Sequence, residues 1–170
     1  MRTLFFVLLM LSPTFAWAEP AAEPWAGLQF LVGDWNGGGG GKPGEGTGAF
    51  SFKLDLGSKV LVRRNFAQYP PKPGQKEGVR HDDLMIVYLA GPLLKAIYFD
   101  NEGHVINYAV TTADKTATFE SDAGPPGVPR FKLVYQQKDD AAVDLTFSIA
   151  PPGSPFRPYI TASAKRAGGK

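Results

Sequence analysis

The 170-residue chain predicts an all-β fold, a single antiparallel up-and-down β-barrel of about ten strands with a short N-terminal helical plug. From residue 48 onward, apolar and polar residues alternate with the period of half-buried strands. Proline, glycine and aspartate clusters interrupt this alternation at the short spacing typical of β-barrels and sandwiches. Nothing resembles a βαβ unit, so a parallel sheet is not expected.

The N-terminal part of the barrel is predicted to be its plug. Residues 25–32 place apolar side chains at helical spacing, and Gly33 is suited to end a short helix. Trp35 is large enough to close the bottom of a small barrel, and its buried indole N–H would need an acceptor. The sheet is therefore expected to begin at this tryptophan.

The remaining strands follow from the alternation. They are predicted over residues 49–56, 60–68, 84–89, 93–100, 105–112, 116–120, 130–135, 143–149 and 159–165. Long loops are predicted at 69–83, 121–129 and 150–158, and we expect them to meet at one mouth of the barrel and frame a ligand.

The first 18 residues have the three parts of a secretory signal. Arg2 gives the positive start, residues 4–11 the apolar centre, and residues 16–18 a small-x-small cleavage site. We therefore predict a signal peptide at 1–18, a barrel domain at 19–170, and an exported protein that is periplasmic or secreted. No stable membrane insertion is expected after cleavage, because the apolar run is short.

The composition of the chain narrows the classes of partner that the protein could bind. The net charge is +2 and the chain has no cysteine. Such a balance gives no electrostatic basis for nucleic-acid binding. The favoured partner is a small apolar ligand, because the strand count, the mouth loops and the lack of a catalytic set indicate a barrel that holds a ligand in its interior. No pattern specifies an oligomeric state.

Two histidines and their acidic neighbours are candidate site residues. His81, beside Asp83, and the distant His104 could form a base or a metal site. The alternative is structural, with residues 82–83 capping a loop and His104 closing a hairpin. Because residues 101–103 form an explicit turn, we predict that Asp100, Glu102 and His104 do not share a face.

The consecutive arginines Arg63 and Arg64 lie within a strand, so one of them should point into the barrel. A buried arginine needs a carboxylate or an anionic ligand, and pairing with Asp83 or Asp100 is the favoured interpretation. Most aromatic residues should form the core. Some of them line the predicted cavity, whose further candidates include Trp35, Tyr98 and Tyr159.

Two segments resemble a known group. Residues 33–39 fit a G-x-W-x-G-x-G pattern, and residues 151–166 look like the closing hairpin of the same barrel. Together they resemble the nitrobindin-like proteins, a calycin-related group with a ten-stranded barrel. The segments 81–85 and 98–104 are similar to an uncharacterised bacterial branch of that set.

The resemblance implies a possible cofactor. Nitrobindins hold b-type haem through a histidine on the final strand, and the matching position here is Tyr159. Either no haem is bound, which is the favoured expectation, or a tyrosinate ligates it, as in catalase. A cation such as Arg63, Arg64 or Arg157 would then lower the phenol pKa. Otherwise Tyr159 fills the barrel and hydrogen-bonds its hydroxyl.

Three functions remain open at this point. The first is an exported barrel that binds a small, mostly apolar ligand in its interior, without a catalytic set. The second is a haem protein with nitrobindin-like nitrogen-oxide chemistry, such as peroxynitrite isomerisation. The third is a structural or partner-binding envelope protein. No nucleophile motif is present, so the protein is not expected to be an ordinary hydrolase.

Overall fold

A computed structural model describes residues 23–39 and 46–168. A 3-10 helix at Ala26–Leu31 precedes the sheet. The strands are Gly33–Gly39 (β1), Thr47–Asp55 (β2), Val60–Tyr69 (β3), Val79–Ala90 (β4), Leu93–Asp100 (β5), Val105–Ala113 (β6), Thr116–Ser121 (β7), Arg130–Asp139 (β8), Ala142–Ala150 (β9) and Arg157–Arg166 (β10).

The ten strands form one closed antiparallel barrel, which confirms the predicted fold class. Each strand pairs with its neighbours in sequence, and β1 pairs with β10 to close the ring, with Trp35 opposite Arg166. Within the described residues no helix has the length and apolarity needed to cross a membrane. The predicted signal peptide lies outside the described residues and stays a prediction.

One end of the barrel, which we call the plug end, is closed by the 3-10 helix. Leu28 and Leu31 of this helix are fully buried. The Trp25 indole donates to the Ser58 carbonyl at 3.0 Å, and the Trp35 indole donates to the Leu31 carbonyl at 2.9 Å. The predicted plug is therefore confirmed, although its helix is shorter than the expected 25–32.

The opposite end, which we call the mouth, carries the longer connections. Because consecutive strands run antiparallel, alternate connections fall at the same end of the barrel. The loops at residues 70–78, 122–129 and 151–156 therefore share the mouth, as predicted. The turn at residues 101–103 lies there too, and Gly103 has a φ of 92°, the left-handed conformation expected of its glycine.

One strand boundary was wrong in a way that matters for function. The predicted loop at 69–83 is shorter, because β4 begins at Val79 rather than at residue 84. Its first residues carry polar side chains on both faces, so they give no apolar alternation. His81 and Asp83 consequently lie within a strand and not at a loop exit, and Asp83 does not cap a loop.

The plug half of the barrel interior is packed with aromatic rings. Tyr135 lies at the centre of this cluster, with its ring centroid 5.5 Å from that of Phe50 and 5.6 Å from that of Phe52. Phe50 in turn stacks on Trp35 at 5.9 Å. These contacts leave the mouth half as the part of the interior where a ligand could be held.

Candidate functional site

A buried ion pair lies between the aromatic cluster and the mouth. Arg63 points inward with only 6% of its surface exposed, whereas Arg64 faces outward and is exposed. The Arg63 guanidinium forms a salt bridge to Asp83, and the Asn65 amide donates to the same carboxylate at 2.7 Å. The predicted inward arginine and its pairing are therefore confirmed, while Arg64 has no place in the interior.

His81 extends this ion pair toward the mouth. Its Nε2 lies 3.0 Å from the Tyr98 hydroxyl and 3.4 Å from an Asp83 carboxylate oxygen. Its Nδ1 lies 3.0 Å from Glu102. The carboxylates of Asp83 and Glu102 outweigh the effect of burial and raise the pKa of His81 to about 9, so the imidazole is protonated at neutral pH.

The network continues from Tyr98 to the β5–β6 turn. The Tyr98 hydroxyl donates to Asp100 at 3.2 Å, and the His104 Nδ1 lies 2.8 Å from the same carboxylate. Asp100 also accepts the backbone N–H groups of Glu102 and His104. Although burial acts against ionisation, these hydrogen bonds lower the pKa of Asp100.

This arrangement corrects one prediction. The turn at 101–103 was expected to keep Asp100 and His104 apart, but the turn itself folds His104 back onto Asp100. His104 remains mostly exposed and does not contact His81, so the proposed His81, Asp83 and His104 metal cluster is not assembled. Among residues 23–39 and 46–168, no group of three or more potential protein ligands is placed to hold a metal ion.

We call the inward-facing network the polar wall. It consists of Arg63, Asn65, His81, Asp83, Tyr98, Asp100 and Glu102. Burial, followed by the nearby charges of Asp83 and Asp100, raises the pKa of Tyr98, so its phenol stays neutral. The polar wall can thus donate and accept hydrogen bonds at neutral pH.

Beside the polar wall, on the adjoining strands, is a set of very small residues. In the strand register, Gly37 lies opposite Gly48, Gly48 opposite Ala67, and Ala67 opposite His81. On β10, Ala162 points to the same side as the buried Ala164 but is more accessible. A methyl group built on Gly37 would come no closer than 3.7 Å to another residue, at the Gly48 carbonyl, whereas one built on Gly48 would clash with the Phe66 carbonyl.

We call the space between these small residues and the polar wall the cup. Its remaining side is apolar and aromatic. Phe131 and Phe147 stack there with centroids 6.0 Å apart and planes 7° apart. Ile106 and Leu145 also pack against the buried core and are only partly buried. The cup therefore combines an apolar wall with a polar wall beneath an open mouth.

Two polar atoms near the floor of the cup have no hydrogen-bond partner within the described part of the chain. They are the Arg63 Nε and the Tyr135 hydroxyl, and Tyr135 is fully buried. The two side chains are direct neighbours: burial acts to lower the pKa of Arg63, and Asp83 followed by Tyr135, whose hydroxyl lies within hydrogen-bonding reach of the guanidinium, raises it.

The other candidate site residues predicted from the sequence, Trp35 and Tyr159, lie away from the floor of the cup. Trp35 is buried at the plug end and contributes packing. Tyr159 lies at a register shift between Pro158 and Ile160, is 53% exposed, and presents its ring to Phe147 with the centroids 6.5 Å apart. Its hydroxyl makes no hydrogen bond within the described residues, so it does not have the surroundings of a buried tyrosinate haem ligand.

Two further concave surfaces lie outside the barrel. The larger is an open groove of about 520 Å³ across β2 to β5, lined mostly by outward-facing residues such as Arg64, Phe66 and Leu84. Its lining also includes Asn65, Asp83 and Asp100 of the polar wall. The other, of about 360 Å³, lies over β6 to β8 and includes Ala109 and Arg130. Both grooves are open to solvent, and neither is lined by Arg63 or Tyr135.

Comparison with known proteins identifies the fold and no family. No protein-family model matches the chain, and no curated protein resembles it in sequence. The crystal structure of Rv2717c from M. tuberculosis is similar, with a TM-score of 0.57 and 12% sequence identity. The match covers 86% of this chain and 99% of that one. At this identity the similarity supports the barrel fold alone, and the nitrobindin-like assignment stays a prediction.

The sequence indicated much of the polar wall but missed two of its members, Asn65 and Glu102, and the position of the Tyr135 hydroxyl beneath it. Asn65 follows Arg63 by two residues, so the strand period alone could have placed it beside the inward arginine. Glu102 was set aside as a turn residue, yet its side chain reaches His81 across the mouth. Tyr135 was assigned to the core, and nothing in its local pattern shows that its hydroxyl lacks a partner.

Proposed function

We propose that the protein binds a small, mostly apolar ligand with one polar end, and that the cup holds it. The observation that carries this proposal is the combination of small inner residues beside a largely buried hydrogen-bonding network. Small residues give up packing contacts that larger side chains would make, and a buried polar network costs free energy unless its groups are satisfied. A ligand would recover packing contacts by filling the space, and its polar end would meet the polar wall.

The charges of the polar wall favour a neutral ligand. Two cationic groups, Arg63 and protonated His81, lie among the carboxylates of Asp83, Asp100 and Glu102. Each cation already has a carboxylate partner, so an added anion would have to displace one. The aromatic side, with Phe131 and Phe147, suits a flat apolar body.

The predicted signal peptide also indicates where the protein would meet its ligand. We propose that the ligand is met outside the cytoplasm, in the periplasm or in the medium. Pulse-labelling in an exporting host would show a shortened mature protein starting after Ala18. A mature protein that still carries residues 1–18 would contradict export by this route.

A blocking substitution tests the cup directly. We would titrate the full chain with 2-ethylnaphthalene and follow tryptophan fluorescence. Ala162→Phe should weaken binding at least about tenfold, because its ring occupies space that the ligand needs. The matched control is Thr161→Phe, one residue earlier on the outer face, which should leave the affinity unchanged. Equal affinity for both variants and the wild type would contradict binding in the cup.

The haem alternative has its own test. Haemin is added to the wild type and to Tyr159→Phe, and the Soret absorbance is compared. The proposal expects no Soret band that depends on Tyr159, since that side chain lies half-exposed at the mouth. A band that is present in the wild type and lost in Tyr159→Phe would favour a tyrosinate-bound haem instead.

A further inference from the structure

The plug end of the barrel exposes leucines on one side. Two neighbouring hairpins, β2–β3 and β4–β5, meet there, since β3 pairs with β4. We call their exposed leucines the leucine tips, and they are Leu54, Leu56, Leu89 and Leu93. Leu56 and Leu93 are 71% and 60% exposed, whereas Leu61, which lies opposite Leu54, is fully buried. Apolar patches on a protein surface mark contacts with proteins or membranes.

The backbone of Leu56 is strained. Its φ is 49°, in the left-handed region where the Cβ of a leucine crowds the following carbonyl. The other non-glycine residues with positive φ in the described chain are all polar, and they are Ser58, Asp114 and Lys115. The Leu56 N–H donates to the Asp55 carboxylate at 2.6 Å, which holds the turn. Asparagine or glycine would adopt this conformation at lower cost, so the turn itself does not require a leucine, and such outliers point to function.

The shape of this surface favours a lipid bilayer over a protein partner. The leucine tips project from hairpins, and neither of the two grooves described above is lined by any of them. A convex apolar tip can enter a fluid lipid interface, whereas a protein partner would have to supply a complementary pocket. Exposed Lys59 lies in the same turn as Leu56, and its ammonium group suits lipid phosphates.

The chain enters the barrel at the same end. The Trp25 indole donates to the Ser58 carbonyl in the β2–β3 turn, so the start of the described chain lies beside the leucine tips. Trp25 follows Ala18, the end of the predicted signal peptide, by seven residues, which span at most about 25 Å when fully extended. A signal peptide held in the membrane during export would therefore keep the plug end close to the lipid.

We propose that the leucine tips dock the plug end on the surface of a lipid bilayer, with Lys59 among the lipid phosphates. The contact is peripheral, because only side chains at two hairpin tips enter the lipid. The mouth lies at the other end of the barrel, so the cup opens toward water in this orientation. The docking is independent of the proposed ligand, since no residue of the leucine tips belongs to the cup or the polar wall.

Vesicle sedimentation tests the docking. The mature protein, purified from an exporting host, is mixed with vesicles of equal parts phosphatidylcholine and phosphatidylglycerol. Leu56→Asn should lower the vesicle partition coefficient at least about tenfold, because it removes an apolar side chain from the lipid. It should leave the melting temperature unchanged or raise it, because asparagine tolerates the left-handed conformation. The matched control is Val128→Asn, at an exposed apolar residue of the mouth, which should bind vesicles like the wild type.

All these variants share one N-terminus, so the comparison isolates the substituted side chain. Vesicle binding that Leu56→Asn weakens and Val128→Asn retains supports the docking. A wild type that does not bind vesicles, or a Leu56→Asn variant that binds equally well, overturns it. A wild-type dimer in light scattering that Leu56→Asn dissociates also overturns it and assigns the leucine tips to a second copy of the chain. Should Leu56→Asn not fold, Leu93→Asn on the neighbouring hairpin takes its place with the same outcomes.

Discussion

At the scale of single residues, the ion pair between Arg63 and Asp83 dominates the interior. Both side chains are more than nine-tenths buried, and Asn65 supplies a further hydrogen bond to the carboxylate. Burial acts to lower the pKa of Arg63, and the attraction of Asp83 outweighs it and raises that pKa. Each charge is consequently stable only while the other is present.

Removing one partner should be costly. Arg63→Met leaves the Asp83 carboxylate buried without its cation, and we expect the free energy of unfolding to fall by about 3–5 kcal/mol. Urea denaturation measures this loss. The double variant Arg63→Met/Asp83→Leu should lose much less than the sum of the two single variants. Additive losses would show that the two side chains do not act as a pair.

The protonation of His81 gives the protein a pH dependence. Its pKa in the folded protein, about 9, lies above the value near 6.5 expected of the unfolded chain. The contribution of His81 to stability is therefore complete below about pH 6.5 and is lost as the pH rises through 9. The wild type should lose stability over this window relative to His81→Gln.

An NMR titration of the His81 imidazole tests whether the neighbouring carboxylates raise its pKa. The His81 ring should titrate near 9 in the wild type. Glu102→Gln should lower this pKa, because it removes a hydrogen-bonded carboxylate 3.0 Å from Nδ1. A His81 pKa close to 6.5 in the wild type would contradict the geometry of the polar wall.

At the scale of elements, the 3-10 helix is held by packing more than by its own hydrogen bonds. Leu28 is fully buried under the plug end, while Gln29, the next residue, is exposed. We expect Leu28→Ala to lower the free energy of unfolding by about 2–5 kcal/mol through the cavity that it creates. Gln29→Ala should change it by less than about 0.5 kcal/mol. Thermal unfolding of both variants makes the comparison, and equal melting temperatures would contradict the role of the helix as a plug.

The start of β1 depends on a glycine. Gly33 has a φ of 130°, and a methyl group built there would lie 2.6 Å from an Arg166 guanidinium nitrogen. That guanidinium also donates to the Phe30 and Val32 carbonyls. It therefore links β10 to the end of the 3-10 helix and to the residue that precedes β1.

Gly33→Ala should therefore destabilise the protein by about 1–3 kcal/mol, through backbone strain and displacement of Arg166. Gly38→Ala, in the same strand, is the control, since nothing lies within 4 Å of its added methyl group. Chemical denaturation of the two variants measures the difference. A Gly33→Ala variant as stable as Gly38→Ala would refute the strain.

Sequence reasoning located elements well where burial alternates and poorly where it does not. Leu93–Asp100 was predicted with its observed bounds, because its apolar pattern is flanked by clear turns. The first five residues of β4 were missed, since polar side chains there point both into and out of the barrel. The inner polar residues that break the strand pattern are also those that form the polar wall.

At the scale of the whole molecule, closure of the barrel brings together residues whose proximity the sequence alone does not reveal. The pattern predicted about ten antiparallel strands with a plug and loops at one mouth, and the structure confirms these features. The row of Gly37, Gly48, Ala67 and His81 exists only once the register of four strands is known. Local sequence therefore predicted the barrel, whereas the cup arises from pairing between distant segments.

The ligand is expected to enter the cup and not the grooves outside the barrel. Alanine methyl groups report on both places, since Ala67 and Ala162 face the cup, whereas Ala49 and Ala109 line the two outer grooves. The most direct measurement is an NMR titration of methyl-labelled alanines with 2-ethylnaphthalene. We predict that the Ala67 and Ala162 signals shift while those of Ala49 and Ala109 stay in place. Shifts confined to Ala49 or Ala109 would contradict a ligand site inside the barrel.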